Sequence, residues 1–334
     1  MNKLTKIVLP LILLIFLTDP LLGQVNLEKV AQTGLKFLSV SVGAHGAGMG
    51  DAFSAVANNA EAMFWNPAGM AYINKWNISG GYNQWIAGIK HQYTGLAYNT
   101  GNIGVLGVNL IWVDYGTAYG TRRSEADPRG YIETGPFSPS ALSAGFTYSR
   151  QVSDRFSFGV NVKYVHQDLG TSYIGTGETT EEFKEETKEI NAFAFDFGTL
   201  YYIGFKDLRI AMCAKNVSAE YQYETEAFSL PLTLRIGIAM DLLKAFSINT
   251  KSSLILAIDA IHPRDYQERV HFGMEYSFYN MIALRAGYKF NYDEDNLSFG
   301  VGLKEKRTGI KVDYAYNPFG DFDAVHRISV GVGF

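Results

Sequence analysis

The chain has 334 residues, a formal net charge of −4, 34 glycines, 22 phenylalanines, 21 tyrosines and one cysteine. Charge this close to balance argues against a nucleic-acid partner. With Cys213 alone, neither a disulfide framework nor a thiolate metal cluster is available.

In chain order, Lys3 and Lys6 precede the apolar run Ile7 to Leu17, followed by Leu21-Leu22-Gly23. Basic, then apolar, then small is the pattern of a secretory signal peptide, residues 1–23, cleaved to leave Gln24. No later apolar run is long enough for a transmembrane helix. Residues 24–75 are rich in Ala and Gly, and a short helix is predicted over Ala52 to Ala62.

From Trp76 the pattern changes to period two. Residues 156–164 set Phe156, Phe158, Val160, Val162 and Tyr164 on one face and Ser157, Gly159, Asn161 and Lys163 on the other. Residues 270–278, 282–290 and 327–334 repeat the arrangement. Such alternation is strand geometry. The spacing predicts strands at 76–84, 90–99, 102–114, 140–151, 154–168, 189–203, 206–216, 229–242, 253–262, 267–278, 281–291, 296–304, 308–317 and 325–334. Many are near the length a tilted membrane strand needs. Aromatics recur towards strand ends (Trp76, Tyr82, Trp85, Trp112, Tyr115, Tyr314, Tyr316), as an interfacial girdle requires. Tight connections alternate with long ones at 115–139, 169–188 and 217–228, matching periplasmic turns and outer loops. The predicted fold is all-β: a transmembrane antiparallel barrel of about fourteen strands over 76–334, with a small N-terminal plug over 24–75 that contains a short helix.

With the apolar faces towards lipid, the lumen receives Lys163, Arg209, Lys215, Arg235, Arg285, Lys289, Lys311 and Arg327. It also receives Asp196, Asp241, Asp259, Glu275 and Asp313. The mixed signs predict pairing across neighbouring strands. A charge network that fills the barrel and a selective conduit both remain open. The charge runs Glu178–Glu189 and Arg122–Arg129 read as solvated loops, the first with a short helix as an option.

The stretch Gly43-Ala44-His45-Gly46-Ala47-Gly48-Met49-Gly50-Asp51-Ala52-Phe53, leading into Phe64-Trp65-Asn66-Pro67-Ala68-Gly69-Met70, resembles the N-terminal signature of the PorV/PorQ family, itself related to the FadL-type transporters. Asp313 to Gly320, then His326-Arg327-Ile328-Ser329 and the terminal Phe334, resemble that family's closing hairpin. The resemblance implies a plugged fourteen-stranded barrel in a bacterial outer membrane. It implies either a component that docks a type IX secretion translocon or its cargo, or a conduit for a hydrophobic small molecule held in the lumen. Gly43, Gly46, Gly48 and Gly50 let the plug turn and pack close to the wall. Asn66, Pro67, Ala68 and Gly69 form either a rigid corner between plug and barrel or a motif that acts in substrate passage.

Nothing catalytic stands out. The glycines after Val42 lack GxGxxG spacing and a βαβ context. There is no G-x-S-x-G element, and the six histidines lack metal-ligand spacing. The expectation is a barrel that is not an enzyme, needs no cofactor and no metal, and whose partners are outer-membrane lipid together with a translocon, a cargo protein or a small apolar ligand.

Overall fold

Period-two alternation after Trp76 becomes a continuous succession of strands. The structure, a computed structural model, describes residues 32–174, 184–248 and 250–334. The proposed signal peptide therefore lies outside the described residues. The strands are β1 (Trp76–Gln84), β2 (Lys90–Asn99), β3 (Val105–Asp114), β4 (Ala118–Arg123), β5 (Tyr131–Phe137), β6 (Ser140–Ser153), β7 (Phe156–Ile174), β8 (Lys184–Tyr202), β9 (Arg209–Val217), β10 (Tyr221–Tyr223), β11 (Glu226–Phe228), β12 (Thr233–Asp241), β13 (Ser253–Pro263), β14 (Arg269–Phe278), β15 (Ile282–Phe290), β16 (Leu297–Lys304), β17 (Lys311–Phe319) and β18 (Phe322–Gly333).

Fourteen of them close one antiparallel barrel among the described residues, β1-β2-β3-β6-β7-β8-β9-β12 and on through β18. Closure is made by β1 against β18, from Asn77↔Gly333 to Gln84↔His326. Pairing every edge satisfies the backbone inside a bilayer, where no water can do so. Phe146, Phe193 and Trp112 are 51%, 56% and 56% exposed on the outside of the wall. That surface belongs in lipid, where apolar exposure carries no penalty. Among the described residues no helix is long and apolar enough to cross a membrane.

Trp76 and Phe334 mark one end of the barrel, joined by hydrogen bonds between their backbones. This end carries the short turns at 100–104, 154–155 and 279–281 and is taken as the inner, periplasmic end. The outer end carries the β4–β5 and β10–β11 hairpins and the long extensions of β7 and β8.

Three expectations change. Ala52–Ala62 is a series of turns rather than a helix. Asp51 adopts φ 61°, and the N–H groups of Phe53 and Ser54 go to the Asp259 carboxylate at 3.3 and 3.1 Å, so a tertiary partner displaces helical bonding. Short helices form on either side instead, at Ala44–Gly48 and Ala62–Trp65. Of the loop expected at 169–188, the described residues 169–174 and 184–188 are strand, since β7 and β8 stay paired out to Ile174↔Lys184. The part of its charge run at 178–183 lies outside the described residues. Finally, Trp85 and Tyr115 line a cavity at the outer end of the barrel, and Trp76 lines one at the inner end against Phe334, 4.8 Å between rings.

Candidate functional site

The residues before Trp76 run through the lumen. At the outer end Thr33 bridges to Ser229, and its hydroxyl donates to Asp265 at 2.6 Å. Lys36 pairs with the same carboxylate at 2.6 Å. At the inner end the Lys75 N–H bonds to the Phe334 carbonyl. Between them Met49, Phe53, Met63, Trp65 and Met70 are almost completely buried and form the body of the plug.

The plug is seated by glycines, and only half of them belong to the plug. Gly273 and Gly287 pair directly across β14 and β15. A methyl group on Gly287 would lie 2.1 Å from the Gly50 amide nitrogen, and one on Gly273 would lie 2.4 Å from the Met49 carbonyl oxygen. Plug backbone therefore rests on wall backbone. Gly50 sits at φ 62°, so a side chain there would be strained as well as crowded. Gly48 meets Gly300 on β16 and Gly46 lies under the Trp65 indole, while Gly43, at φ 83°, faces the Glu61 carboxyl.

A second glycine pair, Gly159 and Gly198 on β7 and β8, receives Asn66-Pro67-Ala68. A methyl on Gly198 would overlap Asn66 Oδ1 at 2.0 Å, and one on Gly159 would lie 2.4 Å from the Pro67 carbonyl carbon. Asn66 is fully buried and all its polar atoms are used. Its Oδ1 accepts from the Ala68 N–H at 3.1 Å, and its Nδ2 donates to the carbonyls of Ser54 and Thr199 at 3.0 and 3.1 Å. Pro67 opens the 3₁₀ turn Pro67–Tyr72, where the missing N–H costs nothing. The Ala68 carbonyl accepts from Ser149 and Ser157. Gly69 packs against the Ala57 carbonyl, where a methyl would come within 2.0 Å, and the chain runs on through the turn to Trp76.

The charges expected in the lumen are there, and several of them hold the plug. Lys163 pairs with Asp196 at 2.8 Å across β7 and β8. Arg285 bridges Glu275 at 2.5 Å and Asp313 at 2.8 Å, and Lys311 adds to Asp313 at 3.1 Å. His45 of the plug stands between Glu275 at 2.7 Å and Lys311 at 2.7 Å. Burial, then the cations Arg285 and Lys311, push its imidazole down to about 4. Lys289 reaches Asp51 at 3.4 Å and also pairs with Asp295. Burial opposes ionisation of Asp51, but Lys289, His271 and Arg327 outweigh it and hold the carboxyl well below its usual range. Arg235 donates to the Asp51 carbonyl at 3.2 Å and stands 3.9 Å from Asp259, which is held by Ser54. Arg327 bonds to Asn317. Arg209 stands apart, near the inner turn, with Asp207 at 3.7 Å and Tyr202 beneath its guanidinium.

Sequence reasoning placed these charges but missed that the plug supplies His45, Asp51 and Ser54 as partners. It also missed the wall glycines, although Gly159, Gly273 and Gly287 stand out as side-chain-free positions on the inward faces. Asn216 was missed too: a register shift between β8 and β9, with φ 60° at Asn216, turns both Lys215 and Asn216 inward.

The plug leaves an outer cavity of about 520 Å³ and an inner cavity of about 490 Å³, which share no lining residue. Among the described residues, no group of His, Cys, Asp and Glu side chains is arranged to hold a metal.

The family model for the type IX secretion system membrane protein PorP/SprF matches residues 131–332. The family model for the outer membrane protein transport protein OMPP1/FadL/TodX matches residues 32–201. No curated protein matches the chain significantly. Among solved structures, the toluene transporter TbuX of Ralstonia pickettii is similar with a TM-score of 0.59 at 14% identity, over 88% of this chain and 98% of that one. A FadL homologue of Pseudomonas aeruginosa gives 0.57 at 13% identity, over 88% and 99%. The toluene transporter TodX of Pseudomonas putida gives 0.55 at 14%, over 87% and 96%. At such identities the likeness is one of fold. The PorV/PorQ family indicated by the N-terminal signature is not among these matches. Each family model covers more than half of the chain, so this outer-membrane β-barrel belongs to the PorP/SprF family of type IX secretion membrane proteins and, through its N-terminal half, to the OMPP1/FadL/TodX family of outer-membrane transport proteins.

Proposed function

We propose that this barrel docks a type IX secretion translocon or its cargo on its outer face while the plug stays seated. One observation carries this reading. The plug touches the wall backbone to backbone at two glycine pairs, so it has no loose side to swing towards. Outer features fit a docking role: β7 and β8 reach 19 residues each, and Lys188 ties β8 to Glu224, beside the β10–β11 hairpin, at 2.5 Å. On this reading residues 1–23 are a cleaved signal, 24–75 the plug and 76–334 the barrel. Asn66 to Gly69 and Gly43 to Gly50 act as seats, the lumen charges hold the plug, and no residue is catalytic. The PorV/PorQ-like N-terminal signature, Gly43 to Phe53 and Asn66 to Gly69, supports this reading.

A FadL-like conduit for a hydrophobic small molecule is the second reading, favoured by the apolar side of the outer cavity, where Trp85, Ile89 and Phe319 lie. Purification from native membranes in mild detergent, with mass spectrometry of co-purifying proteins and lipids, separates the two. A translocon subunit or a secreted protein without an enriched lipid supports docking. An enriched apolar ligand without a protein partner overturns it in favour of the conduit.

A further inference from the structure

The inner cavity is space that neither the plug nor the wall fills. Its wall side is built from small residues, Ser253, Ser277, Ala283, Gly302 and Gly331, on β13 to β16 and β18. Gly331, unlike Gly273 and Gly287, receives no plug backbone. A methyl group there would meet only the Ile78 carbonyl and Ser79 of the neighbouring strand, at 3.4 and 4.0 Å. Ile282 and Leu303 border the cavity from the lipid side, since each alternates with an inward neighbour and they are 46% and 60% exposed. At about 490 Å³ the space is of the size that takes a small ligand.

Five asparagines border it, and three of them have structural work. Asn59 accepts from the Glu61 N–H at 3.0 Å, Asn77 accepts from the Ala60 N–H at 2.8 Å, and Asn280 takes the left-handed turn position at φ 54°. Asn58 and Asn74 do none of this. Among the described residues their amides make no hydrogen bond, nor do the hydroxyls of Ser253 and Ser277. Each amide offers two donors and an acceptor, and each hydroxyl offers both. Charge is mostly spent, Arg285 on Glu275 and Asp313, and Lys311 on Asp313 and His45, while Lys304 is exposed at the rim. Trp76 stands at the same rim, its indole N–H unbonded among the described residues. A phosphate would need clustered free cations, and an apolar ligand would bury these amides and hydroxyls without partners. A neutral ligand that donates and accepts at many points, and has an apolar face for an aromatic ring, matches the lining.

We propose that the inner cavity binds a strand of N-acetylated amino sugars, the chemistry of the cell-wall glycan that lies on this side of an outer membrane. Sugar hydroxyls and acetamido groups pair with Asn58, Asn74, Ser253 and Ser277, and a C–H face packs at Trp76. Asn58 and Asn74 come from the plug and the two serines from the wall, so the site is complete only while the plug is seated. The site is independent of what the outer end docks, and it gives the barrel a hold on the cell wall.

The test uses the full-length barrel in detergent with two probes of one length and linkage, tetra-N-acetylchitotetraose and cellotetraose, which differ in the acetamido groups. Binding is read by calorimetry. Chitotetraose is expected to bind, with cellotetraose at least about tenfold weaker, as loss of the acetamido hydrogen bonds implies. Asn58→Ala combined with Asn74→Ala should weaken chitotetraose binding by about tenfold. Neither amide holds another described group, so the double variant should run as a folded barrel on unheated gels. No binding of chitotetraose, equal binding of the two sugars, or full affinity in the folded double variant overturns the proposal, and the comparison of the two sugars decides even where the variant fails to fold.

Discussion

The two seats of the plug use the same steric device and opposite chemistry. At Gly159–Gly198 the plug is held by neutral groups: an Asn amide, carbonyls and serine hydroxyls. At Gly273–Gly287 and the neighbouring strands it is held by charged wall groups, Lys289 pairing with Asp51 and Glu275 accepting from the His45 imidazole. A glycine pair brings two backbones together, but it supplies no direction. Direction comes from the polar groups beside it, and these decide what can loosen each seat.

The largest expected effect is on the charged side. Arg285→Met leaves Glu275 and Asp313 buried without their shared guanidinium, and removing one partner of a buried pair typically costs about 3–5 kcal/mol. The thermal midpoint of the barrel in detergent should fall accordingly. An unchanged midpoint would mean that water already reaches these carboxylates. Next come the steric seats. Gly198→Val forces a side chain into the buried Asn66 amide and Gly287→Val forces one into plug backbone, and overpacking of this kind costs about 1–3 kcal/mol or more. Both should make the plug cleavable by added protease while the barrel still runs as a folded species on unheated gels. If only one does so, the two seats are not equivalent anchors. Smaller again is Asn66→Ala, which strands the Ser54 and Thr199 carbonyls and the Ala68 N–H. At about 1–3 kcal/mol for a buried unsatisfied group, it should lower the midpoint measurably at every pH.

The barrel was legible in the sequence because lipid on one side and a packed lumen on the other impose strict alternation. The starts of β1 and β2, at Trp76 and Lys90, fall where the pattern places them. The plug was not, because its bonds are tertiary. Ala52 to Ala62 reads as a helix until Asp259, more than two hundred residues later, claims two of its N–H groups. Gly198 on its own strand looks like a weak point, and its purpose appears only when Asn66 is set against it. Trp85 and Tyr115 were read as girdle residues because strand ends do not reveal which way a ring faces.

The comparison is sharpest in its pH dependence. His45 titrates at about 4 in the seated plug, against 6.5 when free. Its folded value is depressed, so above pH 6.5 it contributes nothing either way. As pH falls from 6.5 towards 4, the unseated form takes up a proton that the seated form refuses, and seating weakens. Asp51 is also depressed, but its contribution is lost only below its free value of 3.8, outside that window. Glu61, raised by burial, acts with the opposite sign and stabilises the seat towards acid, with its effect lost as pH rises through 4.5 and beyond. The wild-type slope is the sum of these, so the informative quantity is the difference between wild type and His45→Gln. Protease cleavage of the plug should accelerate from pH 7 to pH 5 more in wild type than in His45→Gln. Asn66→Ala, on the neutral seat, should keep the wild-type slope with a faster absolute rate. Equal slopes in wild type and His45→Gln would show that His45 does not couple the charged seat to pH.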